Sequence, residues 1–138
     1  MPKKITEKLR ASRRREHKCE QCGRPMNTED YQAIVDLTAE AFNSSSLPVR
    51  MRNIRGGGYA SNYFITLPLW LREQVEIYQI YYCVHEICHH IAGQHEGHSS
   101  IFKNTENSAL ALWGITIKRA KVYPRVLYLN GEKKYTRL

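Results

Sequence analysis

Long apolar runs are missing from this sequence. Nowhere in its 138 residues do roughly 18 uninterrupted hydrophobic side chains occur, the length a membrane-crossing helix requires. The opening residues, MPKKITEKLRASRRREHK, lack the apolar middle of a secretory signal, so a cytoplasmic protein with no membrane partner is expected. Cysteine is scarce too. The four are Cys19, Cys22, Cys83 and Cys88, and in a reducing compartment they are expected as thiols or metal ligands rather than disulfides. There is no internal repeat, and no low-complexity tract beyond the basic N-terminal arm.

The length suits one domain, and an apolar fraction of 42% is enough for a single modest core. The net charge of +8 is unevenly spread. Residues 1–25 carry nine Lys and Arg against three Glu, and residues 118–138 carry seven against one. Residues 26–117 have five basic side chains and nine acidic ones. A mildly acidic body between two basic ends favours contact with a polyanion, DNA or RNA, although basic tails also serve solubility alone. The division that follows is a basic arm over residues 1–26, which holds the CxxC, and a body over residues 27–138.

Along the body, NTEDYQAIVDLTAEAFN predicts an amphipathic helix capped by Asn27 or Thr28, with Ile34, Leu37, Ala41 and Phe42 at helical spacing. LPVRMRNI and YASNYFITLP read as two strands of a hairpin turning through RGGG. A long helix is expected from about Leu69 to Ala92, with Ile77, Ile80, Val84, Ile87 and Ile91 as its apolar stripe and Gly93 as its stop. A polar loop, GQHEGHSS, leads into another helical stretch through Phe102, Leu110 and Trp113. Two short strands close the chain, the second turning at Asn130–Gly131. Helices and a small sheet in this order make the expected fold class α+β.

Five of the six histidines fall within HEICHHIAGQHEGH, residues 85–98. His85-Glu86-Ile87-Cys88-His89 is the HExxH pattern. Residues four apart on a helix are separated by about 40° around its axis, so His85 and His89 share a face and can hold one Zn²⁺. Glu86, one position along, can reach a water on that metal without becoming a ligand. Three side chains compete for third ligand: His95 at the metzincin spacing, Glu106 on the next helix, and His98. His90 points about 100° from His89 and cannot join the same metal. Cys83 and Cys88 read as buried core thiols.

VHEICHHIAGQHEGHSSIF resembles the SprT-like zinc metalloproteases and the related YgjP and WLM-type zincin peptidases. These families pair a helical HE-(L/M/I)-(C/A)-H with a later (G/N)-H-(G/S)-x-x-(F/W). The second element corresponds here to Gly97-His98-Ser99-Ser100-Ile101-Phe102. The resemblance covers residues 84–117, and Ser99 stands where SprT itself most often has glycine. It implies a zincin-like fold, with a small mixed sheet packed against the long HExxH helix and flanking helices. It also implies Zn²⁺ on His85, His89 and His98, Glu86 as catalytic base, and a protein or peptide substrate. A strand such as YFITLP just before the metal helix is expected of such proteins.

On this reading Glu86 takes a proton from the zinc-bound water and delivers it to the leaving amine. Tyr59 and Tyr123 are candidate oxyanion donors. Cys19 and Cys22, with His17 nearby, form half of a second zinc site, since a complete one needs four ligands. Two other readings stand beside the protease: a basic nucleic-acid-binding protein whose zinc is structural, closed by Cys88 or His95, and a hydrolase of non-peptide bonds.

Overall fold

A computed structural model describes residues 26–117 and 126–135. The CxxC, the basic arm and Tyr123 lie outside the described residues. Three α-helices and two three-stranded sheets make an α+β fold. None of the described helices is long and apolar enough to cross a membrane.

Helix α1 spans Thr28–Ala41. Asn27 is its cap: the Asn27 side chain accepts from Asp30 N–H at 3.0 Å, and the Asp30 carboxylate accepts the Asn27 N–H at 2.9 Å. This reciprocal box satisfies two amides that the first turn leaves without helical partners. The buried face is rotated from the expected one. Tyr31, Ile34, Val35 and Thr38 lie inside, whereas Ala41 is exposed and Leu37 and Phe42 are half-buried. Thr38 is tolerated there because its hydroxyl donates to Ile34 O at 2.7 Å and accepts the Trp113 indole N–H at 2.9 Å.

The first sheet has β1 (Val49–Arg52), β2 (Tyr59–Ala60) and β3 (Ile65–Pro68) in the order β1–β3–β2. The expected hairpin is not formed. β1 runs parallel to β3, with Val49 opposite Ile65 and Arg52 opposite Pro68, and β2 pairs antiparallel with β3. The segment read as one strand is split by a turn. Ser61 Oγ accepts the amides of Tyr63 and Phe64, both at 3.1 Å, and reverses the chain between β2 and β3. Ile65–Pro68 is therefore a buried central strand, and Tyr59–Ala60 is the edge. Gly58 is required by close packing, since a Cβ there would lie 2.4 Å from Thr66 O and 3.2 Å from the Tyr82 ring. Its amide donates to the Tyr82 hydroxyl at 2.6 Å.

The expected helix from Leu69 is likewise divided. Leu69–Glu73 is a 3₁₀ turn, Gln74 and Val75 are extended, and α2 runs Glu76–Ala92. The break is fastened from inside the helix, where the Gln79 amide donates to Gln74 O at 2.6 Å. Helix α2 is no surface helix with one apolar stripe. Every residue from Tyr81 to Cys88 is buried, as are Ile77, Tyr78 and Gln79, because α1, α3 and the sheet edge all pack against it. Buried tyrosines suit such a helix, their rings filling the core while hydroxyls such as that of Tyr82 find partners.

Helix α3 spans Ser100–Leu112, and the second sheet is an antiparallel meander of β4 (Ile115–Ile117), β5 (Val126–Leu129) and β6 (Glu132–Tyr135). Asn130 and Gly131, at φ of 51° and 85°, make the tight turn between β5 and β6. Ile115 and Leu127 carry this sheet into the common core.

Candidate metal centre

The centre is built by the end of α2, the loop that follows, and the first turns of α3. His85 and His89 lie one helical turn apart on α2, their ring centroids 5.1 Å apart. Gly93 ends that helix as the sequence predicts, and Gln94–Glu96 add a short 3₁₀ turn. Gly97 then takes φ 55°, ψ −125°, a conformation essentially restricted to glycine, and turns the chain so that His98 comes back over α2. Ser99 caps α3, accepting the Phe102 amide and donating to Glu96 Oε1 at 2.9 Å. Ser99, directly after His98, is thus held at the start of α3.

The three imidazoles converge. One ring nitrogen from each of His85, His89 and His98 lies within 4.8 Å of the others, and His85 Nε2 faces His98 Nε2 at 3.3 Å. Two nitrogens bound tetrahedrally to one Zn²⁺ lie about 3.4 Å apart, as bonds of about 2.0–2.1 Å require. The His85–His98 spacing therefore matches two ligands of one zinc ion, and the three nitrogens together could hold a metal ion. His85 is fully buried, His89 half-buried and His98 exposed, so the cluster opens to solvent on one side. Burial, reinforced by the neighbouring His85 and His98 rings, lowers the His89 pKa to about 4. His89 is then neutral at physiological pH, the form in which an imidazole can donate a lone pair.

Phe102 is the floor of this cluster. Its buried ring stacks on His89 at 4.3 Å, meets His85 edge-on at 5.1 Å and meets His98 edge-on at 5.2 Å. The sequence marks Phe102 as the last position of the Gly97–Phe102 motif and as a helical apolar residue, without saying what its ring touches. The Ser99 cap three residues before it sets the ring on the first turn of α3.

The other third-ligand candidates separate clearly. His95 is 82% exposed and pairs with Glu96 at 2.9 Å. Glu106 is buried in α3 and meets His85 at Nδ1, the nitrogen opposite the one that faces His98. It touches a ligand and stays outside the ligand group. His90 bonds Ser45 at 3.0 Å, away from the cluster. Cys88 and Cys83 are free and fully buried, and burial, with the Glu86 charge adding to it, pushes both thiols up. Among the described residues, His85, His89 and His98 are the group of His, Cys, Asp and Glu side chains arranged to hold a metal. Neither Cys88 nor His95 joins it as a closing fourth ligand.

No protein-family model matches the chain, and no curated protein or solved structure matches it either. The reading of the centre therefore stands on its own residues. Glu86 follows His85 on α2 and is buried, about 60° around the helix from His89. Tyr59 belongs to the edge strand, where its hydroxyl accepts from Arg50 at 3.3 Å. Gln94, in the short 3₁₀ turn, donates to Ser61 O at 3.1 Å and ties the loop that carries His98 to the turn before β3.

Proposed function

We propose that the protein is a zinc-dependent metallopeptidase of the SprT-like, zincin-like kind, with His85, His89 and His98 as ligands and Glu86 as catalytic base. The observation that carries this reading is the convergence of the HExxH imidazoles with His98, whose nitrogens gather within 4.8 Å. A mixed sheet lying before the HExxH helix in the chain supports the zincin-like assignment.

When bound, Zn²⁺ supplies Lewis-acid polarisation of a scissile carbonyl and acidifies a water molecule. The chain's own groups do the rest. His85 and His89 are held one turn apart by α2, and His98 is set by Gly97 and the Ser99 cap. The Glu86 carboxylate takes the proton of the attacking water on one oxygen and passes it to the leaving amine. Phe102 walls the site with an apolar surface, which strengthens the electrostatic interactions beside it.

The two basic ends favour substrates associated with DNA or RNA. Free thiols at Cys83 and Cys88 suit a reducing, cytoplasmic setting. The test is a gel assay in which wild type and Glu86→Gln are incubated with a basic DNA-binding protein, with and without single-stranded DNA. Cleavage by wild type and its loss in a folded, zinc-loaded Glu86→Gln protein are expected, a fall of about 10²–10⁴ in rate. A fully active Glu86→Gln protein sinks the catalytic assignment. Stoichiometric zinc with no cleavage under any condition would leave a narrow-specificity or autoinhibited enzyme, or a binding protein.

A further inference from the structure

We infer that Glu106 is a positioning residue for the metal centre: through His85 Nδ1 it selects which imidazole nitrogen faces the other two ligands, and it lends that ligand its negative charge. The inference rests on reading His85, His89 and His98 as a zinc site.

Glu106 occupies the inner face of α3, in line with Phe102 four residues before it and with Ala109 and Leu110 three and four after. These neighbours are core side chains, and an apolar residue is the ordinary occupant of such a position. A carboxylate is costly to bury there unless it is engaged by a specific partner. The partner is His85, and both side chains are fully buried. An ionised carboxylate accepts and does not donate, so with Glu106 in that form the shared hydrogen sits on His85 Nδ1. The lone pair is then left on Nε2, the nitrogen that faces His98 Nε2 at 3.3 Å.

The two ends of one ring thus have separate tasks. Nδ1 is fixed by α3, and Nε2 is aimed at the metal position. The same contact fixes the plane of the ring, and the carboxylate makes the imidazole a stronger donor.

The experiment compares wild type, Glu106→Gln and Glu106→Ala for zinc affinity by chelator competition, with thermal unfolding of the metal-free proteins alongside. Nitrogen-15 NMR of the metal-free proteins reads the His85 tautomer. Wild type is expected in the Nδ1–H form. Glu106→Ala is expected to bind zinc about 10–100-fold more weakly and to lose the single tautomer. Glu106→Gln, which keeps the shape and an acceptor oxygen but removes the charge, is expected to weaken zinc binding less than Glu106→Ala, by about tenfold. If Glu106→Ala does not fold, the nearly isosteric Glu106→Gln decides the matter. Zinc affinity within twofold of wild type in Glu106→Gln, with only the unfolding temperature changed, overturns the inference and makes Glu106 merely structural. A wild type that binds zinc tightly under that outcome leaves the proposed metal centre standing. A wild type with no zinc affinity removes both together.

Discussion

Phe102 lies flat against His89, 22° from parallel, with 4.3 Å between ring centres. The contact joins the first turn of α3 to the last turn of α2, and it orients the one candidate ligand that is neither fully buried nor on the loop. Substituting Phe102 tests whether the floor matters to the centre beyond its share of the core. Phe102→Ala is expected to cost about 3–5 kcal/mol of stability, as loss of a buried aromatic ring does. Phe102→Leu keeps most of the apolar volume, costs less than about 1.5 kcal/mol and still removes the flat surface under His89. Denaturant unfolding and zinc titration of both variants separate the two effects. Zinc binding that tracks stability alone would leave Phe102 as core filling.

The thiols of Cys83 and Cys88 are expected to be silent in the native protein, because burial raises their pKa and shields the sulfur. In a Cys19→Ser/Cys22→Ser variant, a thiol-reactive chromophore should find no rapidly reacting group until denaturant is added, and two afterwards. Rapid modification of either under native conditions would place it at the surface.

Gly58 sits where the chain before β2 presses on Tyr82 and Thr66. Adding a methyl group at 2.4 Å from Thr66 O forces backbone to move, so Gly58→Ala is expected to destabilise by about 1–3 kcal/mol. Gly56, with nothing within 4 Å of the same added atom, is the control, and Gly56→Ala is expected to be near neutral. Denaturant midpoints compare them directly.

Deleting residues 1–16 removes seven Lys and Arg and two Glu. If the arm contacts phosphates, the shortened protein binds DNA more weakly, and its affinity falls less steeply with salt. Titrations at several salt concentrations give both quantities. Unchanged affinity would reduce the arm to a solubility device.

The legible features were local ones. Asn27 with Asp30 three residues on is a short-range capping pattern, Asn130–Gly131 is a two-residue turn, and HExxH is one turn of one helix. Long-range partnerships were less visible. Nothing in VRMR says that it pairs parallel to ITLP, because pairing direction depends on how the intervening chain folds. The turn at Ser61 arises from side-chain bonds to two amides within an otherwise strand-like run, and the break at Gln74 is held by Gln79 from one turn further along. The stripe Ile77–Ile91 hid the fact that Tyr78, Tyr81 and Tyr82 are buried too, since apolar periodicity cannot register an aromatic body with a polar tip. Glu106 was visible only as a carboxylate at approximate ligand spacing. Which imidazole nitrogen it meets depends on how α3 crosses α2, and no single-helix pattern encodes that.

The imidazoles, Glu86, the Phe102 floor and the carboxylate behind His85 all lie between residues 85 and 106. One helical hairpin therefore holds the whole centre, and its internal contacts have low sequence separation. Such contacts close early and cheaply in folding. Grafted into a scaffold that buries α2 as fully, the hairpin would carry the three-imidazole group with it.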